Sequence, residues 1–289
     1  MYPIQRTSTL AQGIVSGGGA GSVHSVYRKT VNLCIGNVLL ALQACGSPLS
    51  PVSLITGLTG TQLSALPLAA GQPVWFCGDT IHIQAERDNI VFSLAGAQTV
   101  PLALATLPEA ELATLHATIE HVLAASTAHG FRGIFFPAAA EGHLDESLIL
   151  QVAQQKLQFC MQNLLLFHYT TAAYDLSSLI GMGIGLTPSG DDFLCGVLAG
   201  FILRGIDGHP FARAVRGQLE QRLGDTNDIS RTFLHCALRG QFSEAVCALT
   251  HASTTAQISA DFHAIGHSSG MDTLCGILYV LRLALPDCG

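Results

Sequence analysis

The chain has 289 residues, 49% of them hydrophobic and 11% charged, with 13 Lys and Arg against 20 Asp and Glu for a formal charge of −7. That apolar share excludes intrinsic disorder, and an acid excess without any Lys/Arg run argues against nucleic acid as a partner. Membrane insertion is also disfavoured, because the apolar run at Phe193–Leu203 stops at Arg204 and that at Leu274–Leu285 is broken by Arg282, whereas a spanning helix needs roughly 20 apolar residues.

Residues 1–22 read as an N-terminal arm. Its Ser16–Ser22 stretch, with Gly17, Gly18, Gly19 and Gly21, is either a flexible lead-in or a phosphate-cradling loop. Residues 23–106 read as a small β-rich domain. Strands are predicted at Val23–Tyr27, Val31–Ile35, Val74–Cys77, Thr80–Ala85 and Ile90–Leu94, with turns at Gly78-Asp79 and Asp88-Asn89. Asn37–Ala44 reads as one short helix. At Pro108 the period changes from two to 3.6, and residues 107–289 read as a larger all-α domain. Pro and acids open a helix there, with Leu112, Leu115, Ile119, Val122 and Leu123 on one face. Further helices are predicted over 145–168, 170–179, 190–204, 210–223, 229–238, 241–249, 254–265 and 270–285. The expected fold class is therefore α+β, a small β-rich N-terminal domain followed by a larger all-α domain.

A repeat stands out within the helical half. The run Gly181-Met182-Gly183-Ile184-Gly185-Leu186-Thr187-Pro188-Ser189-Gly190-Asp191-Asp192-Phe193-Leu194-Cys195-Gly196 is echoed eighty residues later by Ser269-Gly270-Met271-Asp272-Thr273-Leu274-Cys275-Gly276. The shared pattern is S-G-x-D-x-L-C-G. A structural reading makes Ser189 and Ser269 N-caps, with Asp192 and Asp272 completing capping boxes, and lets Gly196 and Gly276 bring helices close together. Capping leaves Asp191 unexplained, since Met271 takes its place in the echo, and it leaves Gly181, Gly183 and Gly185 unexplained. A glycine-rich approach to a helix N-terminus suits phosphate or carboxylate, with hydroxyls from Thr187 and Ser189. The acids beside it fit if Mg²⁺ bridges Asp191 to the ligand, or if one acid carries a proton or binds an amide N–H. His267 occupies the place of Thr187 in the echo. The segment Asp225–Arg231 reads either as a helix cap or as an Arg fork, with Ser230 and Arg231 facing an anion. The twelve His show no HExxH or HxH pattern, so a zinc site is not expected. No GxSxG elbow occurs either.

The Gly183–Leu194 run resembles the signature of a bacterial family whose members include the AllH-type subunit of oxamate carbamoyltransferase and uncharacterised YahE-type proteins. It resembles the latter most closely. Val23–Leu33, the Ser230 region and Ser269–Asp272 are similar too, so the resemblance spans about residues 20–285. It implies work beside an FdrA-like protein and other operon-encoded subunits, exchanging oxalurate and phosphate for oxamate and carbamoyl phosphate. It brings no catalytic residues with it. From the physical argument, Asp191 and Asp192 are the expected catalytic acids. Gly183, Gly185, Thr187, Ser189, Gly190, Ser230, Arg231, His267 and Ser269 are the expected ligand-binding residues, and Mg²⁺ on Asp191 is a possible cofactor. The alternative is a non-catalytic assembly or scaffolding subunit. Scarce surface charge predicts an oligomer. Nine scattered Cys without CxxC spacing, and a start lacking a signal peptide's apolar segment, predict a cytoplasmic location.

Overall fold

The computed structural model describes residues 1–85, 89–137, 144–251, 254–266 and 268–285. The chain divides into two compact units, Met1–Ala103 and the chain from Leu104 on.

The first unit is a β-barrel region. Its strands are β1 (Tyr2–Ser8), β2 (Gly19–Val26), β3 (Thr30–Ile35), β4 (Val38–Gln43), β5 (Ser53–Thr56), β6 (Pro73–Cys77), β7 (Thr80–Gln84), β8 (Asn89–Ser93) and β9 (Gln98–Val100), with helices α1 (Thr9–Ser16) and α2 (Gly60–Ser64) between them. The sheet order is β5-β4-β3-β2-β6-β7-β8-β1-β9, and β1 also pairs with β5. β1 closes the ring: it runs antiparallel to β5 through Ile4↔Thr56 and Thr7↔Leu54, and parallel to β8 through Tyr2↔Phe92. The alternating residues Val74, Phe76, Ile81, Ile83, Ile90 and Phe92 are buried, the period-2 pattern of a one-sided sheet. Closure leaves β1 no free edge to template unwanted pairing along its Ile4–Thr7 stretch.

Residues 1–22 are thus not an arm. β1 is a barrel strand with Ile4, Thr7 and Ser8 buried. α1 starts where the Ser8 hydroxyl accepts from Ala11 N–H, an N-cap that the sequence reading passed over. The glycines end α1 and open β2. Gly18, at φ +73°, follows the helix end, and Gly21 lets β2 lie against β3, because a Cβ there would sit 1.9 Å from the Cys34 carbonyl oxygen. Asn37–Ala44 is not a helix either. Val38–Gln43 pairs antiparallel with β3 and parallel with β5. Its Leu39, Leu40, Ala41 and Leu42 are all buried, so no alternation marked it as a strand, and a short, wholly apolar run fits either structure. Asp88 lies outside the described residues.

The second unit is helical: α3 (Glu109–Ala125), α4 (Arg132–Phe135), α5 (Leu144–Leu165), α6 (Tyr169–Ser177), α7 (Ser189–Leu203), α8 (Pro210–Arg222), a 3₁₀ turn (Leu223–Asp225), α9 (Asp228–Ala237), α10 (Glu244–Ala248), α11 (Thr255–Ile265) and α12 (Ser269–Arg282). Its core is built on α7 and α12. Phe193, Leu194, Val197 and Phe201 of α7 and Leu274, Ile277, Leu278 and Val280 of α12 are essentially inaccessible, each such side chain contributing roughly 1.5–3 kcal/mol of burial. Phe193 packs against the rings of Phe131 and Tyr279, with centroids 5.5 and 5.7 Å away. Arg204, just past α7, donates to the carbonyls of Val280 and Leu283 at 2.6 and 2.9 Å, satisfying acceptors that the end of α12 would otherwise leave open. Among the described residues no helix is long and apolar enough to cross a membrane, and the described cysteines are free thiols.

Candidate functional site

The two halves of the repeat form one structure. A Cβ at Gly196 would lie 2.0 Å from the carbonyl oxygen of Thr273, and a Cβ at Gly276 would lie 2.0 Å from that of Phe193. Phe193 and Thr273 are themselves eighty residues apart, so the contact is reciprocal. Four residues on, Gly200 faces Val280. At the other end Thr187 Oγ1 is 2.8 Å from Ser269 Oγ. Like therefore meets like at the glycine contacts. α7 and α12 run parallel in backbone contact about an approximate two-fold axis, with their N-termini side by side. Their partial positive charges add there.

Neither Ser189 nor Ser269 is a cap. α7 is preceded by Pro188 and α12 by Ser268, and neither position makes a side-chain cap bond. The capping boxes expected from sequence do not form. The serines are the first helical residues, and the acids three places later turn inward instead. Asp272 is fully buried. Its Oδ1 accepts from Phe131 N–H at 2.7 Å, and a Cβ at Gly130 would stand 2.6 Å from that same oxygen. Asp192 faces Asp272, with the Thr187 and Ser269 hydroxyls close to it. Its Oδ2 is enclosed and has no hydrogen-bond partner among the described residues. Burial first, then the Asp272 carboxylate, hold the Asp192 carboxyl well above the usual range, and the two hydroxyls only partly oppose this. Asp192 therefore carries its proton in conditions where an exposed aspartate is ionised.

Asp191 is buried as well, at 2% exposure, yet it is fully engaged. Oδ1 accepts from Gly181 N–H at 2.7 Å and Oδ2 from the Thr226 hydroxyl at 2.5 Å. The Ser230 hydroxyl, also buried, lies near enough to favour its charge without closing a bond of normal geometry. Desolvation nonetheless outweighs these donors and raises its pKa. Asp191 thereby ties the glycine loop to the turn before α9. That loop needs its glycines: Gly181 has φ +72° and Gly183 φ +135°, and a Cβ at Gly183 would lie 2.5 Å from Ser189 N. Gly185, at φ +114°, borders open space, and its neighbours Ile184 and Leu186 are exposed.

The amides at the start of α7 are largely occupied. Gly190 N–H donates to Met182 O at 2.7 Å and Asp191 N–H to Pro188 O at 2.9 Å, with Asp192 N–H also directed at Pro188 O. Arg231 is not a free fork. Its guanidinium donates to Leu223 O and Thr226 O and pairs with Asp228, bracing the turn whose cap is Asn227, an acceptor for Ile229 and Ser230 N–H. The segment behaves as the helix cap that composition allowed. Thr187, Ser269, Asp192 and Asp272 thus gather in one place. Asp191, Gly181, Thr226 and Ser230 gather beside it, and Arg231 joins neither group. His267 lies outside the described residues. Asp272 and Thr226 were missed as site residues. The eighty-residue repeat pointed to Asp272, whereas nothing in the sequence paired Thr226 with Asp191. Mg²⁺ fits Asp191 poorly, since both oxygens already accept from protein. Among the described residues no group of three or more His, Cys, Asp or Glu is placed to hold a metal ion.

Two family models match the chain. The one described as oxamate carbamoyltransferase subunit AllH covers residues 179–281, from the glycine loop through α12, and the one described as the AllH family N-terminal domain covers residues 4–99. No curated protein matches the chain, and no solved structure does.

Proposed function

Since the chain belongs to the AllH family, named for a subunit of oxamate carbamoyltransferase, we propose that it is a subunit of a carbamoyl- or acyl-phosphate transfer enzyme, and that the paired starts of α7 and α12 take the amide end of its ligand. The observation that carries this reading is Asp192, an enclosed carboxyl facing Asp272 with an oxygen left unpartnered. The Asp272 carboxylate, with that of Asp191 beside the site, disfavours a bare phosphate, and the α7 amides that would hold it are spent on Met182 O and Pro188 O. A small amide or ureido group, with N–H donors for carboxylate oxygens and a carbonyl for hydroxyl donors, matches the site better.

An acid that holds its proton more tightly than an exposed aspartate is suited to protonate an amide nitrogen as it leaves a carbonyl carbon, and to take the proton back in the reverse direction. In this reading Asp192 carries that proton and Asp272 sets its affinity. Thr187 and Ser269 orient the carbonyl, and Gly183 and Gly185 shape the approach. Ser189 and Gly190 begin the helix beneath, and Asp191 positions the loop through Gly181 with Ser230 behind it. Phosphate would be held elsewhere, by an FdrA-like or other partner subunit. A divalent ion such as Mg²⁺ would arrive with that phosphate. The alternative, a non-catalytic assembly subunit, draws on the internal engagement of Asp191 and Arg231.

Calorimetric titration of the full chain with oxamate, carbamoyl phosphate and inorganic phosphate, with and without Mg²⁺, tests it. Oxamate should bind, Asp192→Asn should weaken it at least about tenfold, equivalent to ~1.4 kcal/mol, and phosphate alone should bind far more weakly. Phosphate binding that survives Asp192→Asn, or an absence of oxamate binding, would overturn the assignment.

A further inference from the structure

Helix α5 carries two apolar faces. Ala153, Leu157, Cys160 and Leu164 are buried in the core of the helical unit. On the opposite side Leu148, Val152, Gln155, Phe159, Gln162 and Leu166 recur at alternating intervals of four and three, the spacing of a seam between two helices. Its apolar members are open to solvent, with Leu148 59%, Phe159 42% and Leu166 62% exposed. The face continues past the end of α5, where Leu165, its last residue, is 73% exposed and Leu166 and Phe167 form the turn, Phe167 being 61% exposed. Phe167 holds φ +58°, a conformation that costs a bulky residue energy and keeps its ring outward. Beside it Leu164, Leu165, Phe167, Ala284 and Leu285 line an open apolar groove of about 280 Å³.

Single exposed leucines need no explanation, but a seam-spaced row along a helix of 22 residues, about 33 Å long, does. We propose that a second copy of this chain docks here, α5 against α5 across a two-fold axis. The chemistry favours self-pairing. From Leu148 to His168 the sole Asp, Glu, Lys or Arg is Lys156, which falls off the seam, so two copies bring no like charges into register and a charged partner would find nothing to pair with. Gln155 and Gln162 each donate and accept, so each can meet its own copy. The exposed apolar side chains of this face and of the turn after it offer several hundred Å² together, approaching the roughly 800 Å² that each partner contributes to an interface of standard size. Projecting Leu165 and Phe167 next to an apolar groove give the patch both a knob and a hole, as an isologous contact requires. This proposal is independent of the proposed chemistry.

Sedimentation of the full chain between about 1 and 100 μM tests it. The wild type should associate reversibly to a dimer, and the exposed pair Phe159→Glu with Leu166→Glu should weaken association at least about a hundredfold without changing the thermal melt. Val26→Glu, a charge on an exposed apolar residue of the barrel, should leave the dimer intact. Should the double variant melt early, concentration-dependent hydrogen-exchange protection of α5 in the wild type reads the same contact. A wild type that stays monomeric throughout, a double variant as dimeric as the wild type, or α5 amides indifferent to concentration would each overturn the proposal.

Discussion

The helix starts at Ser189 and Ser269 share eight positions of pattern and are used differently. At the first, Asp191 is an organiser whose two oxygens draw in Gly181 and Thr226. At the second, the same place is Met271, 1% exposed in the apolar core. The acids one residue on, Asp192 and Asp272, are equivalent by repeat and yet unequal: Asp272 accepts from the Phe131 amide, whereas Asp192 lies against the Thr187 and Ser269 hydroxyls. A repeated sequence thus builds a symmetric frame, and the departures from symmetry supply what chemistry the frame can hold.

The symmetric part should be the most fragile. Gly196→Ala and Gly276→Ala each drive a methyl to within 2.0 Å of a backbone carbonyl in the facing helix. Each should cost about 3 kcal/mol or more, and thermal melts should show losses of similar size if the two-fold relation holds. The asymmetric part comes next. Asp191→Ala strips both acceptors from the Gly181 amide and the Thr226 hydroxyl and should destabilise by about 1–3 kcal/mol. Met271→Leu, preserving volume and apolarity, should cost less than about 1.5 kcal/mol. Equal losses for the two would erase the distinction drawn between them.

The pH response sharpens the contrast further. Asp192 binds its proton more tightly folded than unfolded. The stability it lends is fully present below the unfolded carboxyl range near pH 4 and is lost as pH rises through the elevated folded value. Asp192→Asn escapes that loss. Its melting temperature should exceed the wild type's at pH 8 by about 2–4 °C, the shift that ~1 kcal/mol gives in a domain of this size, and the advantage should vanish in acid. A variant advantage that grows as pH falls would contradict the assignment. The smallest effect is expected for Ser269→Ala, which removes one hydroxyl partner of Thr187 and should cost about 1 kcal/mol or less.

The sequence made the helical half legible because its signals are local. Pro108 with its acids, the 3.6-residue period of α3, and Pro210 at the start of α8 each announce an element without outside help. The strands with alternation, β6 to β8, were equally plain. β1, α1 and β4 were not. β1 is a strand because β5, β8 and β9 accept it from remote positions. β4 was ambiguous because burial on both faces erased its alternation. At the site, the eighty-residue repeat pointed to the two helix starts that the fold brings together, and an argument about excess singled out Asp191. What that argument could not supply was direction. Whether a carboxylate reaches back to its own loop, as Asp191 does, or faces another acid, as Asp192 does, depends on contacts 35 and 80 residues away.

Backbone-to-backbone contact between α7 and α12 has a kinetic consequence. Helices locked at Gly196 and Gly276 cannot slide or splay without breaking direct backbone-to-backbone packing. In the proposed role, a ligand would pass the strap from Gly181 to Thr187, tethered by Asp191 at one end and by the Asn227 side chain on Leu186 O near the other. An unlatching event would then pace turnover, and weakening the tethers would speed release even as it loosens hold.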